Sequence, residues 1–148
     1  FSQQQAAAIY SATKGAKKGQ VIISPFIGRL DDIGENGMSL IANIIKMFQS
    51  GDGHVEVLAA SIRNMNHLLY SFKLGVDIVT LPLKTIKEWF VLGMPTSQGD
   101  FIYPKNNLRD IPFQQLDLNK NWQEFNINHQ LTDQGLEKFA SDWNNLIE

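Results

Sequence analysis

At 148 residues with 43% hydrophobic side chains, the chain holds enough apolar material for one core, whether a single domain or a large piece of one. A formal charge of −2 and a pI near 5.9 provide no broad basic field, which argues against a nucleic-acid backbone or an anionic membrane as partner. The absence of cysteine excludes a disulfide framework, a thiolate metal site and a cysteine nucleophile, and it fits a reducing cytoplasmic location.

The longest apolar runs fall well short of the roughly 20 residues of a membrane helix, and the amino end lacks a charged-then-apolar secretory pattern. The chain opens at Phe1 with no initiator methionine, which suggests that further residues precede it.

From Gln3 to Ala12 the residues favour a helix opening at Ser2. Ala7, Ala8, Ile9 and Ala12 are available for its buried stripe, and Gly15 and Gly19 close the segment. Val21 to Ser24 is a short β-branched run ending at a proline, expected to be a strand buried on both faces. Met38 to Gln49 carries Leu40, Ile41, Ile44, Ile45 and Phe48 at helical spacing and stops at Gly51-Asp52-Gly53. Val55 to Ser61 reads as the next strand, and Met65 to Leu74 as a helix closed by Gly75. A third copy follows, with Asp77 to Pro82 as strand and Leu83 to Leu92 as helix, stopped by Gly93. Three strand-helix units joined by short glycine turns predict α/β architecture with a parallel sheet.

Residues 94–131 change character, rich in Pro, Asn, Gln and Asp with scattered Phe101, Tyr103 and Phe113. They are expected to form an irregular extension, ordered only if those aromatics find a surface. Thr132 is placed to cap a final helix over 132–148, with Leu136, Phe139, Ala140, Trp143 and Ile147 on one face.

The chemistry is expected at the carboxyl ends of the strands, where parallel barrels place their active sites and often hold phosphate. Ser24 and Phe26 lie two apart at the end of the first strand and face the same way if the extended conformation continues, with Arg29 just beyond. Ser61 and Arg63 repeat the arrangement on the next strand. Two guanidinium groups and two hydroxyls on one rim suit a phosphate dianion. The Ser-x-Arg pattern alone fits a helix cap beside a solvated cation equally well.

Ile23-Ser24-Pro25-Phe26-Ile27-Gly28-Arg29 resembles the I-S-P-F-V-G-R strand signature of transaldolases, and Ala59-Ala60-Ser61-Ile62-Arg63-Asn64 resembles their A-S-F-R-N strand. Phe1-Ser2 with Gln5 resembles the family's F-S-x-x-Q helix opening, and Val79-Thr80-Leu81-Pro82 resembles the last barrel strand of the related fructose-6-phosphate aldolases. The resemblance runs from Phe1 to about Gly93. It implies the carboxy-terminal part of a (β/α)8 barrel, about three parallel strands with crossover helices, followed by the terminal helix.

It further implies a class I aldol mechanism. A lysine forms a Schiff base with a ketose phosphate, and a three-carbon unit passes to an aldose phosphate without metal or organic cofactor. By this resemblance Arg29, Ser61 and Arg63 hold the sugar phosphate, Ser24 contacts substrate and Phe26 lines the reacting centre. The aldolase branch carries a tyrosine at the position of Phe26, so the sequence sides with the transferase. The family's Schiff-base lysine lies on an earlier strand, which would precede Phe1.

None of the lysines here suits that role, because it needs a desolvated position. Lys14, Lys17 and Lys18 fall in a turn, Lys46, Lys73 and Lys87 in helices, and Lys84 at a helix start. A barrel needs eight strands, so the missing part is expected in the same polypeptide or in a second chain. A homo-oligomer is the further expectation from the terminal helix.

Asp31, Asp32, Glu35 and Asn36 fit no calcium-loop spacing and read as a solvated acidic loop. His54, His67 and His129 are too separated to form a metal triad by spacing and read as structural.

Overall fold

The computed structural model describes residues 1–97 and 101–147. In chain order the elements are α1 (Gln3–Ala12), β1 (Val21–Ile23), α2 (Ile27–Asp31), β2 (Glu35–Asn36), α3 (Gly37–Phe48), β3 (Val55–Ala59), α4 (Met65–Leu74), β4 (Ile78–Val79), α5 (Leu83–Val91), β5 (Arg109–Asp110), a 3₁₀ turn at Trp122–Glu124, and α6 (Gln130–Ile147). The strands β1, β3 and β4 form a parallel sheet in the order β1-β3-β4, with Val21 opposite Val55 and Leu58 opposite Ile78. Each crossover carries helix, as a parallel connection requires. The α/β reading with three parallel strands is therefore the observed architecture, that of a partial barrel.

The helix ends follow from local chemistry. Ser2 accepts a hydrogen bond from the Gln5 N–H at 3.2 Å and starts α1. Asn36 accepts from the Met38 and Ser39 amides and starts α3. Asn64 does the same for α4 through the His67 N–H at 3.0 Å, and Gly75 ends that helix at φ 68, a left-handed cap that glycine adopts without a Cβ penalty. Leu40, Ile41 and Ile44 of α3 are at most 1% exposed and pack with Ala6, Ala7 and Ala8 of α1 and Val55, Val57 and Ala59 of β3. Each large side chain buried this fully contributes about 1.5–3 kcal/mol of transfer free energy.

Several expectations shift. The strand β1 is not buried on both faces: Ile22 is 47% exposed while Ile23, whose side chain points to the opposite face, is 4% exposed, so only one face of the strand is covered among the described residues. The buried stripe of α1 runs through Ala6, Ala7, Ala8 and Tyr10 rather than Ile9 and Ala12, because the Tyr10 hydroxyl reaches Asp52 at 2.6 Å and holds that face inward. The strand β3 ends at Ala59 rather than Ser61, since Ser61 adopts a positive φ.

Between α5 and α6 the described residues hold only β5 and the 3₁₀ turn as regular elements, yet they are anchored. Tyr103 stacks on Tyr70 with ring centroids 5.0 Å apart, and Phe113 lies under Lys46 Nζ at 4.3 Å. Its backbone is met by side chains of the core. Ser39 Oγ accepts from the Ile111 N–H at 2.8 Å, and Asn43 donates to the Ile111 carbonyl at 2.7 Å. Buried Gln3 bonds Gln114 in both directions, at 2.9 and 3.2 Å. β5 pairs parallel with β2, two short strands that hydrophobic periodicity could not reveal.

The last helix begins at Gln130, two residues before the expected cap. The His129 carbonyl accepts the Thr132 and Asp133 amides, which places Thr132 inside the helix, where its hydroxyl accepts from Gln5 Nε2 at 2.8 Å. Its apolar face stands open, with Leu136 65%, Trp143 63% and Ile147 65% exposed. Among the described residues no helix is long and apolar enough to cross a membrane.

Candidate functional site

The rim of interest lies where β1 and β3 end. After Ile23 the chain passes exposed Ser24 and buried Pro25, then rejoins its neighbour at Phe26, which bridges Ala60. The Ile27 N–H donates to the Ala60 carbonyl at 3.1 Å and the Ala60 N–H to the Pro25 carbonyl at 3.0 Å. The two motif-bearing segments are thus joined by backbone hydrogen bonds, although some thirty residues separate them in sequence. Pro25 lacks an N–H, so its place at this junction sacrifices no donor.

The short helix α2 starts directly after Phe26 and carries Arg29 outward. The Arg29 guanidinium carbon sits 5.3 Å from the Phe26 ring centroid and 5.7 Å from that of Phe139. A guanidinium over aromatic faces is attracted to their negative quadrupole and keeps its edge donors available. The Phe26 ring also lies 5.6 Å from that of Phe1. Phe139, from the terminal helix, thus neighbours this rim, a contact that its place in an apolar helical stripe does not reveal.

On the other strand, Ser61 sits at φ 59. For a residue with a Cβ this left-handed conformation is uncommon and strained. The turn buries Ile62, 2% exposed, and swings Arg63 outward. Gly28 makes the approach possible. A Cβ there would collide with Arg63 Nε, Arg63 Cγ and the Ser61 carbonyl, so only glycine lets α2 start against this turn.

Arg63 Nη2 then donates to Asp32 Oδ2 at 2.7 Å, the pair being 51% and 59% exposed. Phe26, Arg29, Ser61 and Arg63 are therefore brought together around Gly28. Ser24 lines, with Phe26 and α1, an adjoining cleft of about 460 Å³ whose walls include Ile9, Ala12, Trp122, Ile127 and Thr132.

The acidic loop departs from expectation. It is not simply solvated, because each polar member meets a partner from another element. Asp31 pairs with buried His67 at 2.9 Å, Asp32 with Arg63, Glu35 with Arg109 at 2.7 Å, and Asn36 donates to Asp110 at 2.8 Å. Burial raises the Tyr103 phenol above its ordinary pKa, with the charges of Asp31 and then Tyr70 adding to the effect. None of these pairings has a local spacing signature, which is why the sequence did not show them.

Asp52, His54, Tyr10 and Thr13 form a second polar cluster at the opposite pole, before β3 begins. His54 Nδ1 lies 2.5 Å from Asp52 and Nε2 lies 3.0 Å from Thr13 Oγ1. Hydrogen bonds from Tyr10 and then His54 hold the Asp52 carboxyl well below the usual carboxylate range. Among the described residues no group of three or more His, Asp or Glu is arranged to hold a metal ion. Every lysine of the chain is exposed.

The transaldolase/fructose-6-phosphate aldolase family matches residues 1–148. Curated relatives carrying the name "Probable transaldolase" include those of Phocaeicola vulgatus, 37% identical over 132 residues, and of Brucella ovis and Paracoccus denitrificans, each 36% identical over 132 residues. In each case the alignment covers 89% of this chain and 44% of the relative, so the chain spans less than half the length of these proteins. The family match spans the full sequence, and the chain belongs to the transaldolase/fructose-6-phosphate aldolase family.

Proposed function

We propose that this chain is the phosphate-binding part of a transaldolase, which transfers a three-carbon dihydroxyacetone unit between sugar phosphates through a lysine Schiff base. The observation that supports the reading is the close approach of Gly28, from the first motif, to Ser61 and Arg63 of the second. A dianion approaching that rim meets the donors of Arg29 and Arg63 and the hydroxyl of Ser61, a donor set matched to phosphate oxygens. Ser24 contacts the carbon chain of the substrate and Phe26 lines the reacting centre.

A Schiff-base lysine requires a desolvated amine, and the exposure of every lysine here supports a reactive lysine outside these residues. It would come from a further barrel half, in the same polypeptide or in another chain. The open cleft beside β1 is a surface such residues could cover. The exposed apolar face of α6 supports a homo-oligomer, and the lack of cysteine supports a cytoplasmic location.

Borohydride reduction of the native assembly with a ketose phosphate, followed by mass spectrometry, tests the reading. An adduct on a lysine outside this sequence is expected. An adduct on a lysine of this chain would overturn the assignment, and no adduct would favour a non-catalytic phosphate-binding or scaffold module. The fructose-6-phosphate-type aldolase is separated by product analysis, since it releases free three-carbon ketone without an acceptor.

A further inference from the structure

A hydrogen-bonded pair, His67 and Asp31, lies behind Arg63. His67 is 1% exposed and lies on α4, one turn after the second motif. Its Nδ1 accepts the Arg63 backbone N–H at 3.2 Å, and its Nε2 meets Asp31 Oδ2 at 2.9 Å. Because Nδ1 accepts, the proton of the neutral ring sits on Nε2 and points to Asp31. Asp31 in turn ends α2, the helix that begins within the first motif, and its other oxygen accepts the Gly37 N–H at 3.0 Å. One hydrogen-bonded line thus runs from the first motif's helix, through a buried imidazole, to the backbone of Arg63.

We propose that His67 is a positioning residue for the anion site, with Asp31 holding the tautomer in which Nδ1 accepts the Arg63 N–H and so fixes the left-handed turn that aims Ser61 and Arg63. The proposal rests on the phosphate-binding reading above. The strain at Ser61 makes such a restraint necessary. A residue with a Cβ holds φ 59 only where its surroundings over-determine it, and the Arg63 amide is the first hydrogen-bond donor beyond buried Ile62.

Two substitutions separate positioning from mere packing. In His67→Asn the side-chain oxygen stands where Nδ1 stood and accepts the Arg63 N–H whatever Asp31 does. In His67→Gln the amide reaches Asp31 but leaves the Arg63 N–H without its acceptor. Inorganic phosphate is the probe, titrated into the native assembly by phosphorus NMR or calorimetry, with thermal stability measured alongside.

His67→Asn is expected to bind phosphate within about twofold of the parent despite lower stability, while His67→Gln loses roughly five- to tenfold, the size of one neutral hydrogen bond. Asp31→Asn should weaken phosphate in the parent but not in the His67→Asn background. Equal losses in the two His67 variants, or losses that follow stability, would overturn the proposal and leave the phosphate-binding reading intact. If the parent binds no phosphate and Arg63→Ala changes nothing, both fall together. Long-range proton–nitrogen NMR of the His67 ring gives an answer without ligand: a proton on Nε2 supports the tautomer, and one on Nδ1 excludes it.

Discussion

Asp32 Oδ2 accepts a 2.7 Å hydrogen bond from Arg63 Nη2, joining the residue that follows the first motif's helix to the arginine of the second motif. Both side chains are more than half exposed, and exposed ion pairs contribute only about 0–1 kcal/mol to stability. The arrangement therefore orients Arg63 more than it holds the fold. Arg63→Ala is expected to leave the unfolding midpoint within a few degrees of the parent while weakening phosphorylated substrates by about 1.5–3 kcal/mol, the range for a hydrogen bond to a charged group. Calorimetric titration against a thermal melt checks this, and unchanged affinity would remove Arg63 from the pocket.

Phe26 supplies a ring and no proton. If Phe26 lines the reacting centre as proposed, a tyrosine at that position would add a hydroxyl with a transferable proton there. Phe26→Tyr in the native assembly should raise the release of free three-carbon ketone in the absence of an aldose-phosphate acceptor. A coupled reductase assay of that ketone measures it, and no rise would count against Phe26 at the reacting centre.

Ser61 separates backbone strain from side-chain chemistry. Ser61→Gly removes the Cβ from a left-handed residue, whereas Ser61→Ala retains it. The glycine variant should be more stable than the alanine variant by about 1 kcal/mol, the usual Cβ penalty in that conformation. Both should bind phosphate less well than the parent, since both lack the hydroxyl. Denaturant titrations of the pair, with phosphate binding on each, decide whether strain and recognition reside in the same residue.

The opposite pole predicts an acid response. The Asp52 carboxyl is depressed by the Tyr10 hydroxyl first and by His54 next. A carboxyl with a lowered folded-state pKa stabilises the native state above its ordinary value of 3.8, and that contribution is lost as the pH falls below it. Tyr10→Phe removes the first cause, so the decline in melting temperature between pH 5 and pH 2 should become shallower than in the parent. An identical acid slope would mean that the Tyr10 bond does not hold the carboxyl.

The terminal helix can be tested without disturbing the core. Trp143 is 63% exposed, so Trp143→Lys should leave the chain folded, with an unchanged circular dichroism spectrum. If the apolar face meets a second copy, sedimentation should show a smaller assembly. An unchanged assembly would exclude Trp143 from the subunit contact.

The α/β alternation, the parallel strands, the boundaries of α1, α3, α4 and α5 to within a residue, and both strand-end motifs were legible in the amino-acid order. Each depends on local information: hydrophobic period, β-branched runs and glycine stops act over a few residues. The elements that escaped are short. α2 has five residues and β2 two, too few for a period to show.

What surrounds the motifs was settled only by tertiary packing. Asp32 and Arg63 are 31 residues apart, Ile111 and Ser39 are 72, and Gln114 and Gln3 are 111. Such partners meet because the sheet and its crossover helices bring them together, and no local spacing encodes the meeting. The sequence alone determined which residues stand at the strand ends. Tertiary structure decided that Gly28 brings the two ends into contact, that Asp31 and His67 lie behind them, and that the face of α6 remains open, because those outcomes depend on which surfaces the folded backbone places within hydrogen-bond or van der Waals reach.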